Sequence, residues 1–112
     1  MNNDNRELEV VKKIIESNAI TIRDVDNGVE PFVYSSGNQG PGYIMIKGLC
    51  GQPEVMHFLI DALADKVCSV CPTVDYIDGN VTGGVVTGWE LRNKMSEKLN
   101  RSIPFVYLRG AR

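Results

Sequence analysis

The sequence predicts an α/β chain: a leading helix, a small β excursion, a second helix, and then one β-α-β unit of a parallel sheet. Three observations predict it. Apolar residues recur at helical spacing in three separate stretches. Two β-rich runs, residues 74–78 and 103–108, bracket the third of those stretches, and strands joined by such a helical crossover pair in parallel. The 112 residues, 43% hydrophobic and 23% charged, amount to one domain's worth, with eleven glycines and five prolines available for tight turns.

The same counts exclude several classes of function. Twelve basic residues stand against fourteen acidic ones, for a net charge of −2. That leaves no basic excess to hold nucleic acid or an anionic membrane surface. No apolar run approaches the roughly 20 residues that span a bilayer. The start, Met1-Asn2-Asn3-Asp4-Asn5-Arg6-Glu7, lacks the apolar core of a signal peptide, so a cytoplasmic chain is expected.

Residues 4–17 read as the first helix. Leu8, Val11 and Ile15 follow an i, i+3, i+7 stripe, and Asp4 with Glu7 fits a capping signal. Asn18 is a reasonable stop. Residues 19–23 are β-prone, and Asp24-Val25-Asp26-Asn27-Gly28 carries turn chemistry. The runs 32–34 and 43–46 read as two antiparallel strands joined by the glycine-rich loop 35–42. Such a loop is either functional or a long hairpin connection without a ligand; loops of this length in a compact domain are more often functional.

Pro53 suits the first position of the second helix, with Met56, Leu59, Ile60, Leu63 and Val67 as its apolar stripe. The third helix is expected over residues 85–99, with Gly88, Leu91, Met95 and Leu99 on its buried face. Gly88 costs roughly 1 kcal/mol against alanine in a helix, which close packing on a sheet would explain. Residues 103–108 read as a buried strand ending at Arg109.

Cys50, Cys68 and Cys71 are three in number, which argues against a disulfide framework. Cys68-Ser-Val-Cys71 has C-x-x-C spacing, and with Cys50 and His57 it could supply four zinc ligands. There is no second tight pair, however. The motif also follows a helix instead of opening one, where the dipole acidifies a redox thiol. Ordinary reduced thiols are the simpler reading. With one histidine, on the polar side of its helix, no Ser-His-Asp set can be assembled, nor a metal-carboxylate cluster or a glycosidase-like acid pair.

The turn from Asp78 to Gly84 carries the best functional signal. It joins the carboxyl end of a strand to the amino end of a helix, where unpaired N–H groups and the positive end of the dipole favour an anion. Glycines let a phosphate approach the backbone, and the Thr82 hydroxyl can add a hydrogen bond. The pattern G-x-x-x-G-G, at Gly79, Gly83 and Gly84, is neither a Walker loop nor the dinucleotide fingerprint. Anion binding and a plain tight turn both remain open. Arg109 ends the next strand, and a guanidinium fork beside backbone donors suits a pyrophosphate; it also reads as a surface arginine in the tail Arg109-Gly110-Ala111-Arg112.

These blocks, in this order, resemble the amino-terminal half of an orotate phosphoribosyltransferase, a type I phosphoribosyltransferase. The phrase F-x-x-x-S-G-x-x-x-P-x-Y is matched by Phe32, Ser36, Gly37, Pro41 and Tyr43. The glycine loop and the arginine at the end of the next strand follow. The resemblance runs from about Arg6 to Arg112 and implies a phosphoribosyltransferase-like fold, with a small β hood and the first β-α-β unit of the core. Residues 1–112 would then be a single or partial domain: helix and hood over 1–50, the first half of the core over 51–112.

The resemblance further implies that Ser36, Gly37, Tyr43 and Lys47 face the base, with Tyr43 stacking on its ring. Gly79, Thr82, Gly83, Gly84 and Arg109 would hold pyrophosphate. The implied reaction transfers ribose 5-phosphate from phosphoribosyl pyrophosphate to orotate, with Mg2+ carried on the donor and a homodimer as the assembly. Two departures stand out. Ser35 occupies a position where many members have lysine. The family's paired acids followed by a Thr/Gly loop, which bind the ribose phosphate, have no match between Met1 and Arg112. A piece of a longer enzyme, a half completed by another polypeptide, or a relative that binds or dimerises without turnover would each account for this; the first is the expectation.

Overall fold

The computed structural model describes residues 3–110, with side chains from residue 5 onward. They form two compact units, one up to Val55 and one from Met56.

In the first unit, α1 (Asn3–Glu16) is followed by Asn18 in the left-handed region, at φ 61. The Ser17 hydroxyl donates to the Ile14 carbonyl at 2.7 Å and so satisfies one carbonyl of the last turn. The helix starts ahead of Asp4, whose side chain lies outside the described residues, as the expected capping pair does with it. Leu8, Val11 and Ile15 are each more than half exposed, so the stripe read from the sequence is a solvent-facing one here.

The β excursion pairs differently from the sequence reading. β1 (Ile20–Ile22) is antiparallel to β4 (Gly42–Ile44), with Ile20 opposite Ile44 and Thr21 opposite Tyr43. β2 (Phe32–Val33) pairs with β3 (Gln39–Gly40), inside the stretch read as a loop. The runs 32–34 and 43–46 therefore do not pair with each other. The reason is local. Gly37 takes φ 88, its N–H donates to the Tyr34 carbonyl at 2.9 Å, and the Tyr34 N–H donates to Asn38 at 2.9 Å. This tight turn closes a hairpin before the chain reaches Pro41. The Tyr34 ring then lies where a side chain at position 40 would be, with its hydroxyl donating to the Gly42 carbonyl, so any larger residue at 40 would have to push that ring aside. β1 is left free to take β4.

In the second unit, α2 (Pro53–Val70) ends ahead of Cys71 and Pro72, β5 spans Ile77–Asn80, α3 spans Gly83–Leu99 and β6 spans Phe105–Leu108. β5 and β6 are parallel, in the register Ile77 to Phe105 through Asn80 to Leu108. The expected β-α-β unit is present. Its first strand is displaced: residues 74–76 are not strand, and the strand continues through Gly79 and Asn80. The bend between β5 and α3 is therefore only Val81 and Thr82.

Ala64, Met95 and Ile103 are fully buried, packed by Val67, Cys68, Val74, Ile77, Leu91 and Leu99. The α2 stripe runs through Met56, Ile60 and Ala64, and Leu63 is left partly exposed. Ile103 is buried, but Val106, Tyr107 and Leu108 are exposed, against the expectation of a buried strand. Side chains alternate along a strand. Phe105 lies on the α3 side, so Val106 and Leu108 lie on the opposite face, where both are exposed; Tyr107 shares the Phe105 face and is exposed as well.

Lys98 of α3 reaches across to Asp61 at 3.1 Å and to Asp65 of α2. The hydrogen bond to Asp65 raises its pKa above the ordinary lysine value, with Asp61 adding to it and partial burial opposing it. A raised folded-state pKa stabilises fully below the unfolded value and is lost as pH rises through the folded one. Thermal unfolding followed from about pH 9 to 12 is expected to show a fall in melting temperature that Lys98→Met, already lacking the pair, does not share. Parallel curves for the two proteins would contradict this.

Candidate functional site

The turn from β5 to α3 is set by glycines with different duties. A Cβ at Gly79 would run into the Gly84 carbonyl and come within 3.1 Å of the Phe105 ring. A Cβ at Gly88 would come within 2.8 Å of the same ring and 3.4 Å of the Gly79 Cα. These two glycines let α3 lie directly on β5, as expected for Gly88. Gly79 thus lies in the strand with a packing duty, not in the loop. Gly83 differs: it has no positive φ, and a Cβ there would meet nothing within 4 Å. Neither packing nor backbone conformation requires glycine at 83.

Thr82 is the cap residue of α3, but its hydroxyl makes no capping hydrogen bond. The Val85 N–H donates to the Thr82 carbonyl at 3.2 Å, while the Gly83 and Gly84 N–H groups ahead of it in the first turn have no intrahelical acceptor. The Val81–Thr82 peptide is cis. Thr82 and Gly83 are exposed, so this helix start is open. On the neighbouring strand the Val81 N–H donates to the Leu108 carbonyl at 2.9 Å. Arg109 therefore follows directly on the residue bonded to the bend. Its side chain is exposed and makes no hydrogen bond or ion pair among the described residues. The second unit thus brings Thr82, Gly83, Gly84 and Arg109 to one end of its sheet.

A cavity of about 340 Å³ runs beside all four residues of β5 and reaches Gly84, with Leu63, Thr87 and Leu91 among its walls. Sequence reasoning missed Thr87 and Asn80 here. Thr87, one turn into the helix and four residues from Gly83, was the available signal; its hydroxyl lies 3.5 Å from both the Gly83 and Gly84 carbonyls.

The other expected residues lie in the first unit. Ser36 and Gly37 form the tip of the β2–β3 hairpin, and the Ser36 hydroxyl accepts the Asn38 N–H at 3.3 Å. Tyr43 lies on β4, its ring 5.5 Å from that of Phe32, and the Arg23 guanidinium sits 3.7 Å over the other ring. Arg23 was not read from the sequence as part of this group. Lys47 is exposed on the short 3-10 segment Ile46–Gly51.

Among the described residues no group of three or more His, Cys, Asp or Glu side chains could hold a metal ion. Cys68 and Cys71 of the zinc reading sit three residues apart at the end of α2, and Cys50, Cys68 and Cys71 are all free. No helix of the described residues is long and apolar enough to cross a membrane.

No family model matches the chain. An orotate phosphoribosyltransferase of Listeria monocytogenes is 29% identical over 105 residues, covering 93% of this chain and 45% of its own. Among solved structures, an orotate phosphoribosyltransferase from Aeropyrum pernix superposes with a TM-score of 0.66 at 23% identity, over 89% of this chain and 52% of that one. The fold is phosphoribosyltransferase-like. The same likeness extends to an adenine phosphoribosyl transferase from Trypanosoma brucei, solved with AMP, pyrophosphate and ribose-5-phosphate, at a TM-score of 0.55 and 20% identity over 91% of this chain and 36% of that one. The phosphoribosyltransferase-like architecture is thus shared by proteins named for a pyrimidine base and for a purine base. The chain spans a little under half the length of the curated relatives it matches.

Proposed function

We propose that this chain supplies the pyrophosphate-binding half of an orotate phosphoribosyltransferase site, for transfer of ribose 5-phosphate from phosphoribosyl pyrophosphate to orotate in pyrimidine nucleotide synthesis. One observation carries the reading: a glycine at 83 that packing does not require, at an open helix start beside an uncommitted arginine. Backbone N–H groups of Gly83 and Gly84, the Thr82 hydroxyl and the Arg109 guanidinium would together hold a diphosphate. Gly79 acts by letting the helix start approach the strand.

Within the first unit, Tyr43 offers a ring face to a base, with Lys47 as a nearby cation in sequence and Ser36 and Gly37 at the hairpin tip. Such a transfer needs little covalent chemistry from the protein. Positioning and charge neutralisation in an oxocarbenium-like displacement suffice. Mg2+ fits this chain only as a passenger on the donor: the described residues offer no carboxylate cage, and Mg2+ commonly enters on substrate phosphates. The metal would neutralise charge on the departing pyrophosphate. A cytoplasmic homodimer is part of the same proposal.

The test is the amide spectrum of the labelled chain during titration with pyrophosphate. Resonances of Thr82, Gly83 and Gly84 are expected to move together and saturate. Their silence, or shifts confined to lysine-rich surface, would overturn the site. A second reading, binding without turnover, is favoured by Ser35 in the place of the family's lysine. Orotate-dependent release of pyrophosphate from phosphoribosyl pyrophosphate by the complete protein separates it from catalysis.

A further inference from the structure

The C-x-x-C pair at the end of α2 takes no part in the site above. All three cysteines are free thiols; Cys71 is exposed and Cys68 is half-buried, packed on the Ala64–Met95–Ile103 core. The Cys71 N–H donates to the Val67 carbonyl at 2.7 Å, an i to i−4 bond that carries the helical path one residue past Val70. Cys68 and Cys71 are therefore i, i+3 neighbours on one helix face, with Cβ atoms about 5–6 Å apart. A disulfide needs about 3.5–4.5 Å between them, so closure requires the last turn to tighten slightly.

That turn is where such a movement is least opposed. Pro72 cannot donate a further helical bond, and Cys71 is free of the core. The chain beyond is anchored independently, because the Arg101 guanidinium donates to the Pro72 carbonyl at 2.9 Å and to Val74 at 2.7 Å.

We propose that Cys68 and Cys71 form a dithiol that closes to an intramolecular disulfide by exchange with small disulfides of the glutathione class. The exposed Cys71 thiolate attacks one sulfur of the small disulfide, forming a mixed disulfide and expelling one small thiolate. The Cys68 thiolate then attacks Cys71 Sγ, breaking the mixed bond and expelling the second small thiolate. The two protons lost by the protein go to the two released thiols, so the protein is oxidised by two electrons and one small disulfide becomes two thiols. Exposure assigns the roles: Cys71 is the attacking thiol and Cys68 resolves. The pair lies at the last turn of a helix, not at the first as in thiol oxidoreductases. The exchange it supports is a slow closure, not turnover.

The experiment incubates the folded 112-residue chain with oxidised glutathione, alkylates the remaining thiols and reads intact and peptide masses. The expected product links residues 68 and 71 with the loss of two hydrogens, while Cys50, also exposed, is left as an alkylated thiol or as a separate glutathione adduct. Cys68→Ala is expected to stop at a glutathione adduct on Cys71, and Cys50→Ser to close as the parent does. Stable adducts on the parent without closure, a link through Cys50, or three alkylated thiols would each overturn the proposal. The parent's masses decide it even where Cys68→Ala lowers stability.

Discussion

Gly79→Ala is expected to lower the unfolding free energy by about 1–3 kcal/mol, the range for an overfilled interior, and Gly83→Ala is expected to leave it unchanged or raise it by up to about 1 kcal/mol. The two glycines stand four residues apart in one motif, yet their surroundings oppose each other. At 79 the new methyl group meets the Gly84 carbonyl, part of a helix backbone that cannot turn aside as a flexible side chain would, and the Phe105 ring that packs edge-on against Trp89. At 83 it meets open space and an ordinary φ, so alanine only improves a helical position. Urea denaturation of both variants, read as midpoints at constant slope, checks this. Equal midpoints would mean that α3 does not rest on β5 as described.

Arg109→Ala is expected to weaken pyrophosphate binding by about tenfold or more, since hydrogen bonds to a charged partner contribute about 1.5–3 kcal/mol. The substitution lies just past the last paired residue of β6, and the exposed side chain holds nothing in the fold. The melting temperature should stay put, which separates a binding loss from unfolding. Arg109→Lys is expected to recover only part of the affinity, because an ammonium lacks the two-pronged geometry of the guanidinium. Competition against a fluorescent diphosphate at two salt concentrations measures both. Full affinity in Arg109→Ala would remove this residue from the site.

The helices were legible because their faces are periodic. Met95, Leu91 and Leu99 meet the core as their spacing foretold, and Gly88 is buried for the packing reason its cost suggested. The parallel β-α-β unit followed from element order alone. What the sequence hid depends on contacts distant in the chain. Gln39 and Gly40 have no strand character of their own and become strand only because the turn at Gly37 folds them onto Phe32 and Val33. Val74 looks like a strand residue but packs on the Ala64 cluster, and β5 starts later, where the Ile77 N–H finds the Pro104 carbonyl at 3.0 Å. Leu8, Val11 and Ile15 carry a helical stripe that this unit does not cover, since periodicity reports a face without reporting its occupant. The candidate site was legible as a pattern of residue types, but the separate duties of Gly79 and Gly83 were not. Both are glycine in the sequence, and only the neighbours of an added Cβ tell them apart.

The most direct measurement is a calorimetric titration of pyrophosphate into the parent chain and into Gly83→Val. The account predicts saturable heat with the parent, and at least about tenfold weaker binding in the variant, one step of 1.4 kcal/mol, at an unchanged melting temperature. Equal affinity in the two proteins, or no heat with either, would contradict it.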